Sequence, residues 1–307
     1  MKETFGQKTR RSHKRNQRVV MFWRAFVFTF VIAGVWLFRG TLFQNDSGAS
    51  SSGTNQSRHD ACGTADSRQK STDVTQAPMD HEVCQKLQDL VSQDQRVQQV
   101  IDNCEIYPED ILKMLSRNLD MLNFVLEYPE KVGQVFAETV GEVEGGEVPL
   151  LLQYDQRWGY GDYGNSSVAV SGCGPACLSM VITSLTGDDT ITPYVVAQYA
   201  SEQGYYVPGA GTAWTLMSEG AKHFGVIGEE LPLTKSIMEG VLKEGRPIIC
   251  SMRPGDFTTT GHFIVITGIK DGQFTVNDPN STERSNMLWD YDTLKPQISN
   301  LWAFQAL

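Results

Sequence analysis

Ser171-Gly172-Cys173-Gly174-Pro175-Ala176-Cys177-Leu178-Ser179-Met180 is the stretch around which the chain is organised. A thiol lies between two glycines, a proline suited to a first helical turn follows, and the apolar residues Cys177, Met180, Val181 and Leu185 recur with helical spacing. Cys173 is thus predicted at or just before a helix N-terminus. Unpaired N–H groups of a first turn favour negative charge, and the thiolate is the nucleophilic form of cysteine. Glycine on either side would let a substrate carbonyl approach the sulfur closely. The bland alternative is a small buried cysteine near a helix start.

Cys177 is the rival nucleophile or disulfide partner. Cβ atoms of an i, i+4 pair lie about 5–6 Å apart, whereas a disulfide needs about 3.8 Å, so Cys177 reads as core.

A base for the thiol must come from histidine, and two follow Cys173. His223 falls in a mixed helical stretch, 213–224, and reads as solvent-facing. His262 ends a glycine-containing loop, Pro254 to Gly261, and opens the apolar strand Phe263-Ile264-Val265-Ile266-Thr267. The turn Lys270-Asp271-Gly272 allows two registers. With a two-residue Asp271-Gly272 turn, Lys270 pairs with Gln273 and Asp278 faces away from His262. With a three-residue loop and left-handed Gly272, Ile269 pairs with Gln273 and Asp278 lies opposite Ile264, on the face of His262. The second register makes His262 and Asp278 diagonal neighbours, with Asn277 pointing the other way, and Asp278 is read as the group that orients His262. The competing reading is that Asp278-Pro279 simply ends a strand in a turn.

The surroundings set the context. Residues 1–40 carry nine Lys or Arg and one Glu, a balance of +8, so the net charge of −10 leaves −18 for the remainder. A short basic head on an acidic bulk speaks against a nucleic-acid partner. Six cysteines (62, 84, 104, 173, 177, 250) and five histidines show no spacing typical of a zinc site, and no cofactor is expected. Cys62, Cys84 and Cys104 could pair in an oxidising compartment.

In chain order, a cytoplasmic basic segment (1–18) precedes an apolar run from Val19 to Phe38, interrupted by Arg24, that reaches the roughly 20 residues of a spanning helix. The basic flank stays inside, so the rest would lie outside the cell membrane. A cleaved signal peptide is the competing reading, although no A-x-A-like site follows. Residues 39–77 read as a disordered linker rich in Ser, Gly, Thr and Asn. Residues 78–147 form a helical spacer or packing collar: Val83, Leu87, Leu90 and Val91 begin its apolar stripes. Pro108 marks a helix start, Tyr128-Pro129-Glu130 a break, and Glu142 to Glu147 a second linker. Residues 148–307 hold helices near 193–203, 213–224 and 234–244, then strands at 247–252, 262–269, 273–278 and 300–305. Helices first and strands last suggest an α+β class.

Taken together, Gln153-Tyr154-Asp155-Gln156-Arg157-Trp158, Gly172-Cys173-Gly174-Pro175, Gly261-His262-Phe263 and Asn277-Asp278-Pro279 resemble the papain-like cysteine peptidases, and more closely their C39-like branch, over about residues 148–307. The resemblance implies a papain-like α+β fold, with Cys173 attacking an acyl carbon, His262 accepting the thiol proton and Asp278 steadying His262. It also implies that an upstream glutamine, Gln153 by motif position and Gln156 second, joins the Cys173 N–H at the oxyanion. In bacteriocin-processing members that glutamine lies closer to the cysteine than the 20 residues here; their cytoplasmic, exporter-linked leader substrate is not carried over. The expectation is a membrane-anchored, monomeric extracellular cysteine peptidase acting on a peptide or protein. The alternatives are a peptidoglycan amidase or endopeptidase, and a non-catalytic peptide-binding domain with Tyr205, Tyr206 and Trp214 lining its groove.

Overall fold

The structure, a computed structural model, describes residues 80–307. The basic segment, the apolar run 19–38, the linker 39–77 and Cys62 lie outside the described residues, and within those residues no helix is long and apolar enough to cross a membrane.

Four short helices come first: α1 His81–Val91, α2 Val97–Asp102, α3 Glu109–Leu115 and α4 Leu122–Lys131. The Asp80 side chain caps α1 by accepting from the Glu82 N–H at 2.9 Å. Pro108 precedes α3 as expected. Pro129 does not break α4, which runs two residues past it, because a proline this near the end removes little of the hydrogen-bond ladder. These helices bury Leu87, Val100, Ile111, Leu115 and Phe124 together with Tyr154, Tyr160 and Ala169 from the following segment. The Tyr160 ring stacks on Phe124 at 4.4 Å. The helical segment is therefore a collar sharing one core with the domain it precedes.

The rest is a mixed α+β domain. A small ribbon (β1 Asp162–Tyr163, β2 Ser166–Ser167) leads into the single turn α5 Val168–Ser171 and then α6 Cys173–Thr186, closed by Gly187 at φ 72° in the left-handed region. Next come α7 Pro193–Glu202, the hairpin β3 Tyr206–Val207 and β4 Gly211–Thr212, α8 Thr215–Ser218, β5 Val226–Glu230 and α9 Lys235–Lys243. The remainder is β6 Ile248–Met252, β7 His262–Lys270, β8 Gln273–Asn277, α10 Thr282–Ser285, β9 Leu288–Trp289, α11 Tyr291–Leu294 and β10 Ile298–Ala306.

Six strands form one antiparallel sheet in the order β5-β10-β6-β7-β8-β9. Both faces are covered, which is why the central strands read as continuous apolar runs. Ile249, Phe263, Val265, Trp302 and Phe304 face the core around α6, while Ile248, Cys250, Ile264, Ile266 and Ala303 face the core around α9.

Two expectations change here. The stretch 213–224 is not one helix: it breaks into α8 and a 3-10 turn, Gly220–Phe224, ended by left-handed Gly225. Edge strand β5 escaped the sequence reading because Gly228, Glu229 and Glu230 hide its alternation; a Cβ at Gly228 would lie 2.4 Å from the Met217 carbonyl oxygen.

Candidate active site

Cys173 is the first residue of α6 and half-buried, whereas Cys177 and Cys250 are fully enclosed and burial pushes both thiols up. The flanking glycines serve the protein's own packing. A Cβ at Gly172 would sit 2.4 Å from the Val168 carbonyl oxygen, and one at Gly174 would sit 2.7 Å from Thr212 Oγ1 of β4. Their absent side chains let α5 turn sharply into α6 and let the β3–β4 hairpin press on the helix start. Thr212 Oγ1 in turn shares a 2.8 Å hydrogen bond with Tyr163 OH.

His262 opens β7, with Met252 of β6 as its partner. Its Nε2 is 2.7 Å from Asp278 Oδ1, and Cys173 lies near enough to the ring to help raise its proton affinity. The turn that sets up this pairing is the two-residue one, with Asp271 and Gly272 at φ 55° and 80° and Lys270 opposite Gln273. The expected three-residue loop is therefore corrected. Parity is restored further along by a β-bulge between Ile266 and Gly268, after which Val265 pairs with Asn277. The next residue, Asp278, follows the end of β8 and meets the His262 ring.

Asp278 is wholly buried and receives three donors. They are His262 Nε2, the Asn280 N–H at 2.7 Å on Oδ1, and Arg284 Nε at 2.5 Å on Oδ2. Burial alone would raise the carboxyl, but the charges and hydrogen bonds of His262 and Arg284 overrule it and hold it below the usual carboxylate range. Burial alone would lower His262; the Asp278 charge and hydrogen bond, with the Cys173 contact added, raise it above the ordinary histidine value. The arrangement sets the imidazole between Cys173 and a fixed carboxylate.

Arg284 had no place in the sequence reading. Its signal was Ser281-Thr282-Glu283-Arg284: Ser281 caps α10 by accepting from the Arg284 N–H at 3.1 Å, so the arginine falls one turn after its cap and six residues after the carboxylate it grips.

Gln153 lies beside these groups. Its N–H donates to the Pro279 carbonyl at 2.7 Å, and its buried carboxamide donates from Nε2 to the Ala169 carbonyl at 2.5 Å, leaving Oε1 without a partner. Gln156 points into the collar instead, donating to Glu127 at 2.7 Å. His223 is exposed and stacks on Tyr199 at 4.2 Å. Of the aromatic trio, Trp214 is exposed and donates to Ser251 Oγ at 3.0 Å, while Tyr205 and Tyr206 pack against the α6 core.

Among known protein families, the model described as the Peptidase_C39 like family matches residues 146–305, slightly more than half of the chain. No curated protein matches it.

Proposed function

We propose, from the premise that this chain belongs to the Peptidase_C39 like family, that it is a cysteine peptidase working through Cys173, His262 and Asp278. The observation that carries the reading is His262, hydrogen-bonded to a buried, arginine-held carboxylate and near Cys173 at the start of α6.

In the proposed reaction Cys173 Sγ attacks the carbonyl carbon of a peptide bond while its proton resides on His262. The tetrahedral oxyanion collapses, His262 gives that proton to the departing amine, and an acyl-thioester remains. A water molecule, deprotonated by His262, attacks the thioester, releases the carboxylic acid and returns the proton to the thiol–imidazole pair. Asp278 fixes the ring orientation throughout. The Cys173 N–H and the second N–H of the Gln153 carboxamide are the donors we assign to the oxyanion, each worth roughly 3–4 kcal/mol of barrier. The family supports a peptide or protein substrate. We further assign residues 19–38 as a membrane anchor with the N-terminus inside, and residues 39–77 as the tether of a monomeric enzyme outside the cell.

The test is mass-spectrometric labelling of the full-length chain, purified in detergent, with limiting iodoacetamide at pH 6, wild type against His262→Ala. Selective, His262-dependent alkylation of Cys173 is expected, followed by cleavage in a peptide library. Slow labelling shared by Cys173, Cys177 and Cys250 would move the non-catalytic binding domain to the front. Release of fragments from purified sacculi with no peptide cleavage would favour the wall amidase.

A further inference from the structure

The collar touches the site's framework on both sides of the His262–Asp278 pair. On the Asp278 side, Asn118 Nδ2 donates to the Asn280 carbonyl at 2.9 Å, and the Asn280 N–H donates to Asp278 Oδ1. Thr282, the first residue of the helix carrying Arg284, donates its hydroxyl to Asp120 Oδ2. Asn118 and Asp120 are themselves locked together, since Asn118 Oδ1 accepts from the Asp120 N–H at 3.1 Å and caps a 3-10 turn. On the His262 side, Arg117 Nη1 donates to Thr259 Oγ1 at 3.3 Å. Thr259 lies in the loop that delivers His262, where the Thr258 hydroxyl also holds the Gly261 carbonyl at 3.1 Å.

We infer that residues 117–120 of the collar are positioning residues for the site, holding the Asp278–Arg284 turn and the loop before His262 in the arrangement that lets His262 reach Cys173. They lie outside the family match, which begins at residue 146. The chain thus carries, in its own N-terminal extension, a brace on which the site depends. The inference rests on the cysteine-peptidase reading. The shared apolar core alone would only dock the collar; the hydrogen bonds lie where a small shift would rotate the Asp278 carboxylate or the imidazole. The titratable groups facing His262 are Asp278 and Cys173, with Arg284 behind the carboxylate and Asp120 beyond it. Releasing Thr282 from Asp120 loosens Arg284 and Asp278 together.

The experiment compares the iodoacetamide labelling rate of Cys173 at pH 6 in detergent-purified full-length chains. The variants are wild type, His262→Ala, Asp120→Ala, Thr282→Val, Thr282→Ser and the Asp120→Ala/Thr282→Val double variant. Melting temperatures are measured in parallel. The His262-dependent rate is expected to fall roughly ten- to a hundredfold in Asp120→Ala and in Thr282→Val, because a displacement of about 1 Å between paired reacting groups can cost about 100-fold. The double variant should fall no further than either single one, and Thr282→Ser, which keeps the hydroxyl, should label like wild type. Should Asp120→Ala fail to fold, Thr282→Val carries the test alone. Wild-type rates in Thr282→Val, or equal losses in Thr282→Ser and Thr282→Val, would overturn the brace. Absence of His262-dependent labelling in the wild type would instead overturn the peptidase reading itself.

Discussion

Asp278→Asn keeps the volume of the side chain and removes the charge that His262 and Arg284 share. The Asp278 side chain is fully buried and that of His262 is 7% exposed, so solvent cannot take over the pairing. Breaking a buried ion pair costs about 3–5 kcal/mol, and the amide, which keeps part of the hydrogen bonding, should fall at the lower end, near ~3 kcal/mol. For a folded unit of this size that corresponds to a drop of roughly 6–12 °C in melting temperature. The pH dependence is the sharper test. His262 is raised in the folded protein, so its contribution is complete below its unfolded range near ~6.5 and is lost as pH climbs toward its folded value of about 10. Asp278 is lowered, so its contribution is present above ~3.9 and is lost only as pH falls through its depressed value. The gap between wild type and Asp278→Asn should therefore be widest near pH 5.5 and narrow steadily to pH 9.5. Melts followed by tryptophan fluorescence at pH 5.5, 7.5 and 9.5 measure it. A gap independent of pH would refute the ionic pairing of His262 with Asp278.

Cys173→Ala and His262→Ala should each abolish peptide turnover, whereas Cys177→Ala should retain most of it; full turnover in Cys173→Ala would remove the assigned nucleophile. Gly174→Ala places a methyl group 2.7 Å from Thr212 Oγ1 and should cost about 1–3 kcal/mol by overpacking, seen as a shifted denaturation midpoint. Leu115→Ala, at a position with no exposed surface in the collar core, should destabilise the protein by about 2–5 kcal/mol. If the collar and the domain share one core, that melt stays a single transition; two separated transitions would contradict the shared core.

Much of this protein is legible in its sequence, and the legible parts are local. The glycine–cysteine–proline start of α6 announces itself because helix initiation and apolar spacing are short-range, and the strands from Ile248 onward announce themselves as apolar runs. The partnership of His262 with Asp278 was also within reach, though through the wrong turn. The chain uses the tight Asp271-Gly272 turn and recovers the register through the bulge at Thr267, where Thr267 and Thr275 hydroxyls meet at 2.9 Å and Gly268 leaves room beside Thr275. No periodicity signals that bulge, since it depends on which side chains the neighbouring strand presents. Two further features rested on tertiary structure alone. Arg284 reaches Asp278 only because a four-residue helix, capped by Ser281, folds back on the strand end. Asn118 and Asp120 meet the same turn across 162 residues of chain. Short-range patterns fix which residues start helices and fill strands, whereas the partners of a buried charge are chosen by where distant backbone segments come to rest.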